Sequence, residues 1–282
     1  MVVAAFLQNY NGVLNSYLRQ CLTSMSVVAD VIYVYDDGST EDVKSIYQDF
    51  DCVVIYGREN NFRHELLHKQ KLLSIALRSN PTWLCWFDSD AILGAWWEDR
   101  DRTEDTLARA SQQNIDLIFL HNLNLWRDSW WYRTDQSYND LWHGVFWRNT
   151  GQLHYKPVAK LHQKQYPFFY YDTQHSTNTT QLQQDDAQLL HFGFASADEI
   201  AKKYFTYRDN GQTGWALDRL VSEQKMINPQ TNEEEVFTLE PAMGNWFPSW
   251  YDHGKPAEEP EPLFTPERMM LYGSYEQWKA AQ

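Results

Sequence analysis

The first 120 residues alternate between short apolar runs and segments whose apolar positions recur at helical spacing. Residues 2–7 are apolar and end in the turn sequence QNYNG, after which 14–25 have helical periodicity. The same alternation predicts strands over 2–7, 31–35, 53–56, 83–87 and 115–120, and helices over 14–25, 40–46, 64–79 and 103–113.

This alternation predicts an α/β fold in which a mostly parallel central sheet is flanked by helices. In such sheets, ligands bind beyond the carboxyl ends of the strands. Two acidic motifs stand at predicted strand ends: Asp36-Asp37 follows VIYVY, and Asp88-Ser89-Asp90 follows WLCWF. The motifs therefore predict a ligand site at one edge of the sheet.

The second half of the chain is less regular. Residues 123–149 are rich in aromatic side chains without a clean period, and 172–184 are polar and turn-rich, which predicts a mobile loop. Residues 187–194 predict a strand, and 196–207 predict a capped helix. The tail from 241 is rich in Pro and Glu, which predicts a surface arm that ends in a short helix.

The formal net charge of −14 restricts the partners. Nucleic-acid binding depends on clustered Lys and Arg, so this charge argues against a nucleic-acid partner. The charge is compatible with a divalent cation that bridges carboxylates and a diphosphate, although an acidic balance more often serves only solubility. The aromatic content of 16%, with 13 Trp, favours stacking on sugars, with core packing as the alternative.

Three widely spaced cysteines, Cys21, Cys52 and Cys85, form no CxxC pair, which predicts thiols and no disulfide framework. No run approaches the roughly 18 apolar residues of a membrane span, and no basic segment precedes the N-terminal apolar run. We therefore expect a soluble, cytoplasmic protein without a transmembrane segment.

Asp88 and Asp90 lie two residues apart just beyond a predicted buried strand, so their carboxylates can reach one small volume. A divalent cation held by carboxylates stabilises the negative charge that builds on a departing diphosphate. Acidic residues at this spacing also occur in turns and helix caps, which is the structural alternative.

The segments VIYVYDDGST and WLCWFDSDA, in this order, resemble the GT-A glycosyltransferases, specifically the inverting family 2. The resemblance covers residues 1–93 and implies the GT-A (Rossmann-like) fold. We expect a catalytic domain over 1–215, with nucleotide binding in its N-terminal half and an acceptor-side region over 121–186. A C-terminal extension over 216–282 follows.

The resemblance implies roles for the first motif. Asp36 resembles the carboxylate that reads the base or ribose, and the loop after the first strand resembles the one that touches the nucleoside. Asp37 either joins this contact or holds its turn through the Gly38 and Ser39 amides. The implied nucleoside-binding set is Gln8, Asn9, Asn11, Asp36 and Asp37.

The second motif resembles the diphosphate and metal site of the family. Asp88 and Ser89 are expected near the diphosphate, and Asp88 and Asp90 are the implied ligands of Mn²⁺ or Mg²⁺. His191, at a late predicted strand end, resembles the third metal ligand, with a satisfied histidine in a sheet as the alternative.

A cation for the diphosphate is less clearly marked. Family members often carry an Arg-Asn pair on the helix before the second motif, where this chain has Lys69-Gln70. Lys69 is therefore one candidate and Arg63 another. A solvated helix face also explains Lys69 and Lys71.

Inverting transfer needs a general base within hydrogen-bond reach of the acceptor hydroxyl, normally an Asp or a Glu. The Glu-Asp pair of the family is not evident. Asp140 is favoured, because it lies beside Trp142 in the aromatic segment, and Asp135 and Asp185 or Asp186 are the alternatives. A surface or capping role explains each of them as well.

These observations predict a metal-dependent, inverting glycosyltransferase that moves a hexose-like sugar from a UDP-, GDP- or dTDP-linked donor to a glycan or other hydroxyl acceptor. A catalytically silent nucleotide-sugar or carbohydrate-binding protein on the same scaffold is the alternative. A sugar-phosphate nucleotidyltransferase needs a Gly-rich, Arg-bearing loop after the first strand, which FLQNYNGVL lacks. The net charge disfavours a transferase acting on modified DNA bases.

Overall fold

The computed structural model describes residues 1–14, 17–61, 64–135, 138, 141–151, 153–155, 167–169, 178–255, 258–260 and 262–282. The chain packs into two compact units. The first comprises Met1–Asn122, Trp142–Leu190 and Asn245–Tyr251, and the second comprises Leu123–Leu141, His191–Gly244 and Asp252–Gln282. Residues on both sides of position 215 belong to the second unit.

The secondary structure follows the predicted alternation over the first 124 residues. The elements there are β1 (Val3–Asn9), α1 (Tyr17–Val28), β2 (Val31–Asp36), α2 (Lys44–Asp49), β3 (Val53–Tyr56), α3 (Glu65–Ala76), β4 (Trp83–Trp86), β5 (Ala91–Leu93), α4 (Arg100–Gln112) and β6 (Leu117–Asn124). Short 3₁₀ helices cover Leu77–Ser79 and Ala95–Glu98. The predicted β-turn-α units are thus confirmed.

Shorter elements follow. They are β7 (Trp131–Arg133), β8 (Trp142–Arg148), β9 (Leu153–His154), β10 (Phe168–Phe169), β11 (Thr179–Gln181), β12 (Leu189–His191), α5 (Ala197–Asp209), α6 (Trp215–Val221), β13 (Met226–Ile227), β14 (Glu234–Glu235), β15 (Leu239–Pro241), α7 (Pro266–Met270) and α8 (Tyr275–Ala280). A 3₁₀ helix covers Gly244–Trp246. Ser196 caps α5 by accepting a hydrogen bond from the Glu199 amide.

The central sheet has the strand order β3-β2-β1-β4-β8-β6-β12-β5, and β11 also pairs with β6. β3, β2, β1 and β4 are mutually parallel, β8 is antiparallel to both β4 and β6, and β11 is parallel to β6. The sheet is mixed but mostly parallel, which confirms the predicted α/β class. The last residues of β6 and β12 belong to the second unit.

Helices cover both faces of this sheet. Val3, Ala5 and Leu7 of β1 pack in one cluster with residues of α1, α2 and α4, whereas Ala4 and Phe6 pack in a second cluster with α3. Successive residues of a strand point to opposite faces, so a strand between two helical layers is apolar at every position. This is why the strands are continuous apolar runs in the sequence.

In the irregular part of the chain, the structure explains why the aromatic segment has no clean period and corrects the prediction of a loop. The aromatic segment contains β8, whose neighbours Phe146 and Trp147 enter the two opposite core clusters, so no polar positions alternate with apolar ones. The predicted mobile loop over 172–184 contains β11, which pairs with β6. Residues 172–177 lie outside the described residues.

The second unit has its own apolar core around Trp126, α5 and α6. Phe264, Met269 and Trp278 of the tail are each at most 3% exposed and belong to this core. The prediction of a surface arm from 241 is therefore wrong, because these apolar residues follow the Pro- and Glu-rich stretch that dominates the composition. The short helix expected near the C-terminus is confirmed as α8.

The three cysteines are free thiols, as predicted. Burial raises the pKa of the Cys21 and Cys85 thiols well above the ordinary range, so both remain protonated. None of the described helices combines the length and the apolar character needed to cross a membrane.

Candidate metal and nucleotide site

Both acidic motifs lie at the carboxyl ends of parallel strands. Asp36 is the last residue of β2, and Asp88 follows shortly after the end of β4. β1 lies between these strands and is parallel to both. The two motifs therefore stand at the same edge of the sheet, as the alternation of elements predicts.

Three potential metal ligands converge after β4. Asp88, Asp90 and His191 each offer one ligand atom, and these atoms lie within 4.8 Å of one another. The Ala91 amide donates to the Asp88 carbonyl over 3.0 Å, which closes the turn that carries both carboxylates and Ser89. Carboxylates suit Mg²⁺ and Mn²⁺, and an added imidazole favours the transition metal. This donor set fits a divalent cation.

Hydrogen bonds fix the orientation and tautomer of His191. Its Nδ1 lies 2.7 Å from Oδ1 of Asn124, an atom that only accepts, so Nδ1 carries the proton. Nε2 therefore keeps its lone pair, and Nζ of Lys203 lies 3.2 Å from it. An imidazole held through one nitrogen while the other stays basic is typical of a metal ligand.

Asp36 is 3% exposed, and both its oxygens accept hydrogen bonds within the fold. The Tyr47 hydroxyl donates to Oδ2 over 2.7 Å, and the Ser39 amide donates to Oδ1 over 2.9 Å. Nδ2 of Asn9 donates to the Tyr47 hydroxyl over 2.8 Å. The Ser39 turn contact expected of Asp37 is thus made by Asp36, which together with Asn9 braces the ends of β1 and β2.

Only one of the two carboxylate oxygens of Asp37 accepts hydrogen bonds within the described part of the chain. Its Oδ2 accepts from Nε2 of Gln8 over 3.2 Å and from the Asn61 amide over 3.1 Å. Its Oδ1 is buried and has no hydrogen-bond partner in the described part of the chain. Nδ1 of His68 lies 3.9 Å from that oxygen, which is too long for a hydrogen bond. Burial lowers the pKa of His68 against the opposing effect of Asp37, so the imidazole is neutral at pH 7.

Asn11 joins the loops that follow β1 and β2. Its Oδ1 accepts from the amides of Thr40 and Glu41 over 2.8 and 3.2 Å, and its own amide donates to Oγ of Ser39 over 2.8 Å. Its φ of 62° lies in the left-handed region, which Asn tolerates better than most residues. Asn11 therefore shapes the loop that the sequence predicts to touch a nucleoside.

A cavity of about 560 Å³ opens beside the loop after β2 and is lined by Asp36, Gly38, Ser39, Thr40, Glu41, Asp42, Val43, Lys44, Tyr56, Gly57 and Arg58. The backbone here leaves no room for a side chain at Gly38, where a Cβ would lie 2.6 Å from the Glu59 backbone. The volume is in the range of small-molecule sites, and Lys44 and Arg58 bring positive charge to it.

Lys69 is not on a solvated helix face. It is 1% exposed, its Nζ lies 2.5 Å from Glu65 Oε1, and it sits 4.8 Å from the centroid of the Trp86 ring. Lys71, by contrast, is exposed. The solvated-face interpretation is therefore wrong for Lys69 and right for Lys71. Arg63 lies outside the described residues.

The candidates for the general base are placed differently. Asp135 is 5% exposed and forms a bidentate ion pair with Arg133, whose Nη2 donates to Oδ2 over 2.9 Å. Both carboxylate oxygens of Asp135 are therefore engaged by the Arg133 guanidinium. Asp186 precedes β12 and His191 ends it, so the strand separates them. Asp185 is exposed, and Asp140 lies outside the described residues.

A second cavity, of about 480 Å³, lies between β6, β8 and β11 and is called the amide groove here. It is lined by Phe119, Trp142, Thr179, Thr180, Gln181 and Gln183. All but Phe119 fall in the predicted acceptor-side region, and none of these described lining residues is charged. The Trp142 ring also lies 5.3 Å from the His121 ring, centroid to centroid.

Sequence reasoning missed four residues that shape the site. Tyr47 and His68 lie on helices and face Asp36 and Asp37, and Asn124 and Lys203 hold His191 from opposite sides. Each acts through a partner at least 11 positions away along the chain. No local pattern in the sequence marks such a pairing.

No protein-family model matches the chain, and no curated protein matches it. Solved structures of GT-A glycosyltransferases do. S. aureus TarS 1–349 is 12% identical, with a TM-score of 0.43 over 78% of this chain and 69% of that one. The same fragment in complex with UDP is 16% identical, with a TM-score of 0.35 over 44% of this chain and 36% of that one.

Glucosyl-3-phosphoglycerate synthase from Mycobacterium tuberculosis, in complex with Mn²⁺, UDP and glucosyl-3-phosphoglycerate, is 18% identical. Its TM-score is 0.28, and the match covers 44% of each chain. This chain thus spans only 36% to 69% of the length of these three solved chains. At such identities and TM-scores the likeness does not carry the function, which rests on the residues of this chain.

Proposed function

We propose that the chain is a metal-dependent glycosyltransferase that moves a sugar from a nucleoside-diphosphate donor to a hydroxyl acceptor with inversion. The observation that carries this proposal is the convergence of Asp88, Asp90 and His191, whose ligand atoms lie within 4.8 Å of one another. Ligands of parallel α/β sheets bind beyond the carboxyl ends of strands, which is where both aspartates follow β4.

Mn²⁺ or Mg²⁺, when bound, supplies the positive charge that stabilises a departing diphosphate. Asp88 and Asp90 would hold the cation through carboxylate oxygens, and His191 through Nε2. Ser89, in the turn between the aspartates, offers a hydroxyl to the diphosphate. The two residues that fix the turn and the imidazole, Ala91 through its amide and Asn124 through Oδ1, keep these groups oriented.

Asp37, more than Asp36, suits the nucleoside contact. A buried acceptor without a donor costs about 1–3 kcal/mol, which an N–H of a base or a ribose hydroxyl on Oδ1 would offset. Gln8 and the Asn61 amide hold the other oxygen and so orient the side chain. Asp36 already has donors on both oxygens and shapes the loop instead.

The amide groove suits a saccharide acceptor without formal charge. Its hydroxyl and amide side chains can donate to and accept from sugar hydroxyls, and the face of Trp142 offers an apolar surface for a pyranose ring. Asp140 stays the favoured base and Asp186 the second candidate, since Asp135 is held by Arg133.

The test is metal-dependent nucleotide binding by the parent protein and by Asp90→Ala. A ligand that binds only the native state raises the melting temperature, so UDP, GDP, dTDP and their sugars are compared with and without Mn²⁺. We expect stabilisation by one nucleotide family only with Mn²⁺, and its loss in Asp90→Ala together with transfer activity. Asp101→Ala, which removes an exposed carboxylate on α4, is the matched control and should retain both.

Unchanged metal-dependent binding in Asp90→Ala would remove the assignment of the metal site. The catalytically silent binding protein is the second candidate, because Asp135, one of the proposed bases, is committed to an ion pair. Metal-dependent nucleotide binding without release of a nucleoside diphosphate, with any saccharide acceptor or with water, would favour that candidate.

A further inference from the structure

Lys203 and Asn124 hold the imidazole of His191 from its two nitrogens. Asn124 Oδ1 lies 2.7 Å from Nδ1, and Lys203 Nζ lies 3.2 Å from Nε2. An ammonium has three donors and no acceptor, so the proton of this last contact belongs to the lysine and the lone pair to the histidine. The direction of both hydrogen bonds is therefore fixed.

The lone pair that accepts from Lys203 is the one that His191 would offer to a metal. Nitrogen ligands lie about 2.0–2.1 Å from Zn²⁺. One nitrogen lone pair either accepts a hydrogen bond or coordinates a metal ion, but not both at once. An ammonium and a divalent cation also repel each other. The two cations therefore exclude each other at Nε2.

We propose that Lys203 is a further donor-binding residue that exchanges partners when the metal binds. Its ammonium, which lies 3.2 Å from Nε2 of His191, would be displaced by the cation and would then contact the donor diphosphate. The proposal rests on the proposed function, since it assumes that His191 is a metal ligand.

The side chain of Lys203 permits such an exchange. It is half-buried, and its ammonium lies over the Phe194 ring, with Nζ 4.7 Å from the ring centroid. Such a cation–π contact is weak, so it does not prevent the ammonium from moving. A lysine ammonium is a compact charge on a flexible stem, which suits a phosphate contact that forms late. The adjacent Lys202 on α5 is exposed and lacks this position.

The experiment measures Mn²⁺ affinity and then UDP affinity at saturating Mn²⁺, by calorimetry, in the parent protein, Lys203→Met and Lys202→Met. Methionine keeps the length of the stem and removes the charge. We expect Lys203→Met to bind Mn²⁺ about tenfold more tightly and UDP about tenfold more weakly, the size expected for one hydrogen bond to a charged group. Lys202→Met should match the parent protein in both affinities.

A His191→Ala background tests whether Lys203 acts on Mn²⁺ binding through the imidazole. There Lys203→Met should no longer raise Mn²⁺ affinity, because no imidazole is left to compete for. Unchanged or weaker Mn²⁺ binding in Lys203→Met, in a parent protein whose Mn²⁺ binding is lost in Asp90→Ala, overturns this inference and leaves the metal site standing. Absence of Mn²⁺ binding in both the parent and Lys203→Met overturns both.

Discussion

Replacing Tyr47 by Phe removes one hydroxyl that links the ends of two parallel strands. The hydroxyl donates to Asp36 Oδ2 over 2.7 Å and accepts from Asn9 Nδ2 over 2.8 Å. All three residues are at most 3% exposed, so water cannot replace the lost partner without a local rearrangement. The variant keeps the ring and its packing in the core cluster shared with α1 and α4.

The expected loss of stability is about 3 kcal/mol. A hydrogen bond to a charged group contributes about 1.5–3 kcal/mol, and a buried amide left without a partner costs about 1–3 kcal/mol. The two amounts overlap, because the freed Asn9 amide and the freed Asp36 oxygen lie on either side of the same small gap. The total therefore lies near the low end of the summed range of about 2.5–6 kcal/mol.

The effect has a defined pH dependence. Burial raises the pKa of Tyr47 well above its ordinary value, and the Asp36 carboxylate raises it further. The native state therefore keeps a proton that the unfolded chain loses above about pH 10. The contribution of the Tyr47 hydroxyl to the free energy of unfolding is fully present below that pH. Above it, this contribution declines by about 1.4 kcal/mol per pH unit. The difference in the free energy of unfolding between the parent protein and Tyr47→Phe should therefore become smaller above about pH 10.

The assay is urea unfolding followed by far-UV circular dichroism, with the free energies compared at equal m-values. Tyr33→Phe is the matched control. Tyr33 lies on the same strand β2, is 7% exposed, and its hydroxyl makes no hydrogen bond with another described residue. The control should stay within about 0.5 kcal/mol of the parent protein. A loss in Tyr47→Phe below about 1 kcal/mol, or one equal to the control, would refute the role of the hydroxyl.

Two further changes test other parts of the fold. Asp135→Ala should lower the free energy of unfolding by about 3–5 kcal/mol, because it leaves the buried Arg133 guanidinium unpaired; urea unfolding measures this, and a loss under about 1 kcal/mol would contradict the ion pair. Gly38→Ala should lower the melting temperature and weaken nucleotide binding, because its φ is 74° and a Cβ would lie 2.6 Å from the Glu59 backbone. Gly151→Ala, with a φ of 77° and nothing within 4 Å, should show only the backbone cost of about 1–2 kcal/mol; equal losses would exclude the clash.

The parallel part of the sheet and the strand-end position of both acidic motifs follow from the sequence. Buried parallel strands are continuous apolar runs, and polar residues that interrupt such a run must stand at its end. Asp36 and Asp88 are the first polar residues after such runs, so their placement needed no knowledge of distant contacts. The same logic fails for β8, which is apolar on both faces and sits among aromatic loop residues.

The role of Asp135 could not be read from its neighbours in the chain. The sequence shows an acidic residue in an aromatic segment, which suits a base near a sugar. The fold instead fixes Arg133 by a hydrogen bond to the Arg219 carbonyl over 2.9 Å and by the ring of Tyr138, 4.3 Å from the guanidinium carbon. These partners keep the guanidinium on Asp135, and one of them lies 86 positions away.

Asp36 and Asp37 differ in the hydrogen-bond donors that distant parts of the chain bring to their carboxylates. Both carboxylates are almost fully buried at the end of the same strand, and the dipeptide is symmetric in the sequence. A hydroxyl from α2 and an amide from the turn satisfy both oxygens of Asp36, whereas Gln8 and the Asn61 amide satisfy one oxygen of Asp37. A buried acceptor keeps its full cost until a donor arrives. Asp37, whose Oδ1 has no hydrogen-bond partner in the described part of the chain, is therefore the residue that gains most from a ligand. The number of donors to each carboxylate decides this, and the order of the two aspartates in the sequence does not.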